Sequence, residues 1–273
     1  MKIACAIPAR NAEQTLARVL AGVAAQSRRP DELLVADDAS EDGTAKIAER
    51  AGARLIKLER NKGVAGARNA LWRAADSDII LFLDADAIPE PDVVERALAG
   101  FSDDQVAGVG GRGVEAVTDD AVNRWRAEVC PQSHGVETRE SDWMLMGLCF
   151  AFRRRVLEEV SGFDECYRKN GEDVDISLRI RAKGYRLRYL PDMRVTHLRR
   201  DDLGSLLSQG FRHTRYAARA IRRNEKDLLG GFFRDTVTHL GRTALSDLKS
   251  GRADRFAIGS VDLLARLAGF LVP

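Results

Sequence analysis

The 273-residue chain is long enough for one domain with a large core, or for one domain with a smaller appendage. Its composition, 45% hydrophobic and 31% charged, is typical of a globular protein, and its net charge of +2 argues against a dedicated nucleic-acid binder. The four cysteines form no C-x-x-C pair, which disfavours a zinc site or disulfide framework and suits a reduced, cytoplasmic protein. Because no apolar run reaches about 18 residues and the first residues lack a signal-peptide pattern, we expect neither a transmembrane helix nor a leader.

The first third of the chain alternates predicted strands with predicted helices. The strands cover residues 2–7, 32–36, 53–58 and 79–83. The helices run over about 11–23 and 42–51, and a third opens from the loop at 61–69 and continues to about residue 75. Asn11 fits the N-cap of the first helix, with Gln14 completing a capping box. Alternation with short connections predicts an α/β fold with a doubly wound, mostly parallel sheet flanked by helices.

The middle of the chain predicts further elements around one ambiguous motif. Helices are expected over about 91–101, 119–129, 153–160 and 171–183, and strands over 105–115, 143–152, 185–190 and 193–197. Four glycines within 105–115 spell G-x-G-x-x-G, but they lie inside a strand and open no helix. We therefore interpret them as permitting close backbone approach rather than as a dinucleotide loop. The polar segment 131–142 is predicted to be a mobile loop and is a candidate lid that orders when a ligand binds.

One predicted strand ends in two carboxylates. Residues 79–83 are five consecutive apolar residues, the pattern of a strand buried on both faces, and Asp84 and Asp86 follow it. Their i, i+2 spacing directs both side chains to one side of the sheet at the carboxyl end of the strand, where open α/β sheets bind ligands. Paired carboxylates there favour a divalent metal. The alternative is that both residues only form the turn before Pro89.

The composition changes after residue 198. Residues 199–223 contain seven arginines against two aspartates, interleaved with apolar residues, and residues 256–272 are again amphipathic. Basic amphipathic helices of this kind lie on anionic membrane surfaces, bind phosphate-bearing acceptors, or simply cap a domain. These interpretations stay open from the sequence.

Six motifs occur in a fixed order over about the first 200 residues. They lie at 7–13, 35–44, 61–69, 84–86, 162–165 and 171–179. Each is weak alone, but together they resemble the family 2 glycosyltransferases, which have the nucleotide-sugar-binding GT-A fold. The resemblance implies a GT-A catalytic domain over residues 1–198, followed by a basic helical C-terminal region over 199–273 that matches none of the motifs.

The resemblance implies roles for individual residues on the donor side. Asp38 would recognise the base, since a carboxylate suits a ring N–H donor such as that of uracil; its alternative is a turn or N-cap residue. Asp86 would bind Mg²⁺ or Mn²⁺ at the donor diphosphate, with His197 as a further ligand, and Asp84 would contact the ribose or support the metal. The implied nucleotide-binding residues are Pro8, Ala9, Asn11, Asp38, Lys62, Arg68 and Asp84.

The resemblance also implies a catalytic and an acceptor side. Asp173, in the Glu172–Asp173 pair at a predicted helix N-terminus, would be the general base for an acceptor hydroxyl, and transfer would invert the anomeric carbon. The alternative is that both are ordinary first-turn carboxylates. Gly147, Leu148 and Cys149 resemble the segment under the acceptor site. The expected partners are a nucleotide-diphosphate sugar, UDP-sugars being favoured, and a glycan or lipid-linked acceptor.

Other functional classes fit the sequence less well. A phosphatase of the haloacid dehalogenase type places its D-x-D after the first strand, whereas here it follows the fourth. A sugar nucleotidyltransferase would carry a Gly- and Lys-rich loop after the first strand, and residues 8–11 are not such a loop. A nucleotide-sugar-binding or membrane-docking protein without turnover remains the alternative. The expected location is the cytoplasm, with a peripheral position on the inner membrane face as its variant.

Overall fold

A computed structural model describes residues 1–141 and 143–272. The chain divides into two compact units. The first contains residues 1–114 and 132–198, and the second contains residues 115–131 and 199–273. The sequence placed the boundary at residue 198 alone, whereas the structure also assigns the helical segment 115–131 to the second unit.

Nine strands form one sheet in the described part of the chain, in the order β3-β2-β1-β4-β8-β6-β9-β5, with β7 paired to β9. The strands are β1 (Ile3–Ala9), β2 (Glu32–Asp37), β3 (Arg54–Lys57), β4 (Ile79–Leu83), β5 (Ala87–Pro89), β6 (Val106–Glu115), β7 (Arg139–Glu140), β8 (Cys149–Arg153) and β9 (Arg186–His197). Strands β3, β2, β1 and β4 are parallel, and β8 joins β4 in the antiparallel sense. The carboxyl ends of the parallel strands and the start of β8 therefore lie at the same end of the sheet.

Within residues 1–141 and 143–272, seven helices connect the strands and three more follow them. Those before β9 are α1 (Leu16–Ala24), α2 (Thr44–Arg50), α3 (Gly63–Ala74), α4 (Val93–Gly100), α5 (Ala121–Val129), α6 (Arg154–Glu159) and α7 (Glu172–Ala182). Those after β9 are α8 (Leu203–Asn224), α9 (Leu228–Lys249) and α10 (Ala253–Leu271). The predicted α/β fold class, a sheet flanked by helices with a helical C-terminal region, is confirmed.

The core of the first unit lies on both faces of the sheet. All five residues of β4 are buried, and alternate side chains enter two apolar clusters, as the continuous apolar run predicted. One cluster packs the face toward α1 and α4, and the other packs the face toward α3 and α7. Burial of this strand fixes the position of Asp84 and Asp86 just beyond its end.

The glycine-rich pattern of β6 reflects close packing across the sheet. A side chain at Gly108 would meet the ring of Phe152, and one at Gly111 would meet the backbone carbonyl of Met193. The structure therefore supports the interpretation of these glycines as sites of close approach rather than as a dinucleotide loop.

Several predicted boundaries are wrong. Helix α1 begins at Leu16, because Asn11 has a positive φ of 48° and its side-chain oxygen accepts a hydrogen bond from Glu41 N instead of capping a helix. The two strands expected over 185–190 and 193–197 are one continuous strand, β9, which begins at Arg186 and runs through Pro191. The strand expected over 143–152 begins only at Cys149, and β5 and β7 were not predicted. In the expected lid, β7 pairs with β9, and Asp142 lies outside the described residues.

The second unit is helical and has its own core. Trp125, Leu206, Leu240 and Ile258, from α5 and α8–α10, are buried together. Arg126 is 5% exposed and forms ion pairs with Glu115 at 2.7 Å and Asp201 at 3.3 Å. These contacts explain why α5 belongs to this unit, since its apolar neighbours on α8–α10 and one of the two ion-pair partners of Arg126 come from residues beyond 198. Over 1–141 and 143–272, no helix is both long enough and apolar enough to cross a bilayer.

Candidate functional site

The sequence-predicted residues of the first unit meet at one end of its sheet. Strands β1, β2 and β4 end there, β8 begins there, and α7 presents its N-terminus through Glu172 and Asp173. Carboxyl ends of parallel strands are where open α/β sheets hold ligands. The site is therefore assembled from segments far apart in sequence but adjacent in the sheet.

Asp38 is held by the start of α3. It is 4% exposed, and its two carboxylate oxygens accept hydrogen bonds from Lys62 N at 2.6 Å and Gly63 N at 2.9 Å. A carboxylate at a helix N-terminus satisfies peptide N–H groups that have no partner within the helix. Asp38 thus fixes the loop before α3 beside the end of β2, which is a structural task additional to the base recognition predicted for it.

The residues expected to line the base and ribose lie at the end of β1. Pro8 and Ala9 are buried and pair with Ala36 and Asp37 of β2. Asn11 is exposed just beyond them, and its backbone N–H donates to Ser40 Oγ at 3.0 Å. Lys62 is exposed at the N-cap of α3. These residues surround the same strand ends as Asp38.

Asp86 faces His197 beyond the end of β4. The carboxylate Oδ2 lies 3.6 Å from Nε2 of His197, which is 6% exposed at the end of β9, and β5 pairs Ala87 with His197. No group of three or more His, Cys, Asp or Glu side chains with metal-binding geometry occurs in the part of the chain that the structure describes. Mg²⁺ is commonly held by one or two carboxylates together with substrate phosphates and water, so the Asp86 carboxylate fits such an ion, with His197 beside it.

Arg68 differs most from its predicted position. Arg68 is predicted to reach the nucleotide, but its side chain is 1% exposed and its terminal nitrogens are engaged within the protein. They donate to Glu172 Oε1 at 2.6 Å, Asp84 Oδ1 at 2.9 Å and the carbonyl of Gly147 at 2.8 Å. Arg68 therefore joins the end of β4 to the start of α7.

Asp173 is half-buried beside this network. Its Oδ2 accepts a hydrogen bond from Gly147 N at 3.2 Å, and Gly171 precedes the helix in a left-handed conformation with φ of 88°. Glu172, by contrast, is 5% exposed, and its Oε2 has no hydrogen-bond partner among the described residues. The two neighbouring carboxylates thus differ in burial and in partner: Glu172 is buried and bound to Arg68, whereas Asp173 is partly exposed to solvent.

The electrostatics of the site follow from three carboxylates around one guanidinium. Burial, followed by the negative charge of Asp173, raises the pKa of Glu172 to about 7, although Arg68 lowers it. Burial also raises the pKa of Asp84 to about 6, with Arg68 opposing and Asp86 reinforcing the shift. Because the Asp84 side chain is 34% exposed, solvent weakens the rise in the pKa of Asp84.

The predicted acceptor segment touches both carboxylate pairs. The backbone of Gly147 contacts Arg68 and Asp173, and the carbonyl of Leu148 accepts a hydrogen bond from Asp84 N at 3.1 Å. Cys149 begins β8, is fully buried and pairs with Leu83. Burial raises the pKa of the Cys149 thiol, so this cysteine is a packing residue rather than a nucleophile.

Sequence reasoning missed one anchoring residue, Asn69. Its side chain donates to Phe163 O at 2.8 Å and accepts from Phe163 N at 2.9 Å, and it also accepts from Trp72 Nε1 at 2.9 Å. The side chain that would replace hydrogen at Gly162 would meet Asn69 and Trp72. Asn69 and Gly162–Phe163 both belong to the motifs identified in the sequence, which is a signal that each is important. Their mutual contact could not be inferred from local pattern, because 94 residues separate Asn69 from Phe163.

Comparison with known families decides the classification. The sequence model described as "Glycosyl transferase family 2" matches residues 5–161. The chain belongs to glycosyl transferase family 2. The match covers β1 to α6 and includes Asp38, Arg68, Asp84 and Asp86, while Glu172, Asp173 and His197 lie beyond it.

Curated relatives of this family 2 chain are named glycosyltransferases. The O-antigen chain rhamnosyltransferase RfbN of Salmonella typhimurium is 30% identical over 209 residues, covering 72% of this chain and 66% of the relative. The pre-mycofactocin glycosyltransferase of Mycobacterium tuberculosis is 30% identical over 208 residues, covering 72% of this chain and 43% of the relative. The alignments thus span less than two thirds of these relatives.

Solved structures share the fold of this family 2 chain. The mannosyltransferase PcManGT from Pyrobaculum calidifontis, in complex with GDP-Man and Mn²⁺, aligns with a TM-score of 0.71 at 22% identity, covering 99% of this chain and 87% of that one. GalNAc-T7 with UDP, GalNAc and Mn²⁺ aligns with a TM-score of 0.60 at 20% identity, covering 74% and 44%. These likenesses establish the GT-A fold.

Proposed function

We propose that this chain is an inverting glycosyltransferase that moves a sugar from a nucleotide-diphosphate sugar, with UDP-sugars favoured, to a hydroxyl of a glycan or lipid-linked acceptor. The proposal is carried by one observation. Arg68 joins Asp84, at the end of β4, to Glu172, the neighbour of Asp173, so the two acidic motifs belong to a single site. Family membership and the names of the relatives support the reaction class.

On the donor side, Asp38 recognises the base and the end of β1 receives the ribose. A carboxylate accepts from a ring N–H, which uracil and guanine both offer, and the structural neighbours were solved with GDP-Man or with UDP. Asp86 and His197 hold Mg²⁺ or Mn²⁺, and the two neighbours contain Mn²⁺. When bound, the ion supplies Lewis-acid stabilisation of the charge that develops on the departing diphosphate.

On the acceptor side, Asp173 is the general base. Its carboxylate takes the proton of the acceptor hydroxyl while that oxygen attacks the anomeric carbon and the bond from this carbon to the diphosphate oxygen breaks. Attack opposite the leaving group inverts the anomeric configuration. Asp173 suits this task because it is half-buried and because the N–H of Gly147 orients one of its oxygens.

The second unit carries a further part of the proposal, a peripheral contact with an anionic membrane. Its helices expose large apolar side chains, among them Phe233, Leu248 and Leu264, which are 45%, 54% and 65% exposed. The same unit contains the seven arginines of residues 199–223. Exposed apolar side chains with nearby basic residues favour binding to anionic lipid surfaces.

The proposed function is tested with a panel of nucleotide sugars. The protein is incubated with each donor and Mn²⁺, and release of the nucleoside diphosphate and thermal stabilisation are both measured, with EDTA as the metal control. We expect one donor class to give a metal-dependent response, and Asp173→Asn to keep the stabilisation while losing turnover. Stabilisation without turnover by any donor would instead indicate a binding protein, and no response at all would contradict the donor site.

A further inference from the structure

Arg68 is among the largest fully buried side chains of the molecule, yet it is charged. It extends from α3 and donates to three segments that are distant in sequence: Asp84 after β4, Gly147 before β8 and Glu172 at the start of α7. Its planar fork of donors fixes several acceptors in one geometry, which the point charge of a lysine does not. Burial opposes the charge, but Asp84, Glu172 and Asp173 outweigh it and raise the pKa of the guanidinium.

The backbone of Gly147 links Arg68 to the proposed base. Its carbonyl accepts from Arg68 at 2.8 Å, and its N–H donates to Asp173 Oδ2 at 3.2 Å. A methyl group at Gly147 would lie 3.1 Å from one terminal nitrogen of Arg68 and 3.4 Å from Asp173 Oδ2. The Arg68 guanidinium, the Gly147 backbone and the Asp173 carboxylate are thus in close contact. Displacement of the guanidinium would therefore shift the Gly147 backbone and the Asp173 carboxylate.

The guanidinium itself has little freedom to move. Its central carbon lies 4.8 Å from the ring centre of Phe150 and 5.7 Å from that of Phe163. Asn69, the next residue of α3, holds the backbone of Phe163 through two hydrogen bonds. Contact with two rings and three donated hydrogen bonds restrict the motion of the guanidinium.

We propose that Arg68 is a positioning residue that sets the distance between the donor-binding end of β4 and the base Asp173. It acts through Glu172 and through the backbone of Gly147. The proposal rests on the glycosyl-transfer function given above and extends it to a residue that touches no substrate. Removing Arg68 leaves Asp84 and Glu172 without their shared cation, so the two carboxylates repel and the start of α7 shifts. Among the residues implied to bind the donor, Asp84 bonds Arg68, whereas Asp38, Asp86 and His197 accept none of its three hydrogen bonds.

The test compares Arg68→Met and Arg68→Lys with the unaltered full chain. We expect kcat to fall about 100-fold in Arg68→Met, because a base displaced by about an ångström loses that much rate. The KM for the donor and the Kd of its nucleoside diphosphate with Mn²⁺ are expected to change by less than about threefold. Arg68→Lys keeps the charge but not the fork, so it is expected to recover only part of kcat.

A matched control is Arg126→Met in the second unit. Arg126 is also buried, with ion pairs to Glu115 and Asp201 and a bond to the Arg199 carbonyl at 2.8 Å, so its loss removes a similar set of interactions. Thermal melting of every variant gives its folded fraction. If Arg68→Met does not fold, the kinetic comparison is made with Arg68→Lys alone.

Two results would overturn the positioning role. A loss of nucleoside-diphosphate affinity that matches the loss of kcat would make Arg68 a nucleotide-binding residue. A loss of kcat no larger than that of Arg126→Met at equal folded fraction would make its role only structural. A full chain without transfer to any acceptor would overturn the proposed function, and with it this role, and is recognised in the unaltered protein before any variant is made.

Discussion

At the residue scale, adjacent carboxylates in the candidate site have different surroundings and therefore different properties. Glu172 is buried against Arg68, whereas Asp173 is half-buried and oriented by a peptide N–H. Asp84 is likewise bound to Arg68, whereas Asp86 faces His197. In both pairs one carboxylate is bound to Arg68 and the other contacts a different group, which allows substitutions to separate the two positions.

Substitution of Asp173 and of Asp86 should separate chemistry from binding. We expect Asp173→Asn to lower kcat about 10²- to 10⁴-fold, since it removes a general base, while nucleoside-diphosphate affinity stays nearly unchanged. Asp86→Ala should weaken Mn²⁺-dependent affinity at least about tenfold and lower turnover as well. Calorimetric titration and steady-state kinetics measure both effects. Substantial transfer by Asp173→Asn would contradict its assignment as the base.

The raised pKa of Glu172 predicts a pH dependence of stability. Because the folded state holds this proton more firmly than the unfolded chain, where the pKa is near 4.5, the free energy of unfolding should fall as pH rises from there to about 7. Glu172→Gln cannot ionise and should lose less stability over this window. Chemical denaturation at about pH 5 and about pH 8 measures the difference. Exposed Glu59→Gln is the control, and equal losses in both variants would contradict the shift.

At the scale of elements, α3 organises the site from its start and from its middle. Its first turn donates to Asp38, and its middle supplies Arg68 and Asn69. Gly63 begins the helix with φ of 76°, and a side chain there would meet the backbone of Arg168. The loop before the helix is therefore fixed by a conformation and a contact that glycine alone permits.

Gly63→Ala should destabilise the protein by more than backbone strain alone. We compare it with Gly52→Ala, where φ is 72° but nothing lies within 4 Å of the added methyl group. Gly52→Ala should cost about 1–2 kcal/mol of unfolding free energy from the left-handed conformation, and Gly63→Ala more, since Arg168 must move as well. Denaturant unfolding measures both. An equal loss of unfolding free energy in the two variants would mean that the backbone of Arg168 moves away from the added methyl group at no cost.

At the scale of the whole molecule, the chain consists of a sheet unit that carries the candidate site and a helical unit with an independent core. The helical unit includes α5 from the middle of the chain, so it is not a simple C-terminal addition. Its exposed apolar residues on α9 and α10, including Leu248 and Leu264, are the basis for the proposed membrane contact.

Vesicle binding by the full chain tests this contact. We expect co-sedimentation with phosphatidylglycerol vesicles and weakening by about tenfold or more in Leu248→Ser with Leu264→Ser, since each side chain loses apolar burial worth about 1.5–3 kcal/mol. Both side chains are exposed, so folding should be little affected. Ser246→Ala is the control on α9. Absence of vesicle binding by the unaltered chain would leave the helical unit as a domain cap.

The sequence by itself determined the α/β class, most strand and helix positions in the first unit, the family, and the placement of Asp84 and Asp86 after a buried strand. These features follow from local periodicity and from the order of short motifs, which need no knowledge of distant neighbours. Only the tertiary structure decided that Arg68 is buried against Gly147 and Glu172, 79 and 104 residues away, and that α5 joins the C-terminal helices. Side-chain direction and long-range contact depend on how the elements pack, and a local pattern does not contain that information.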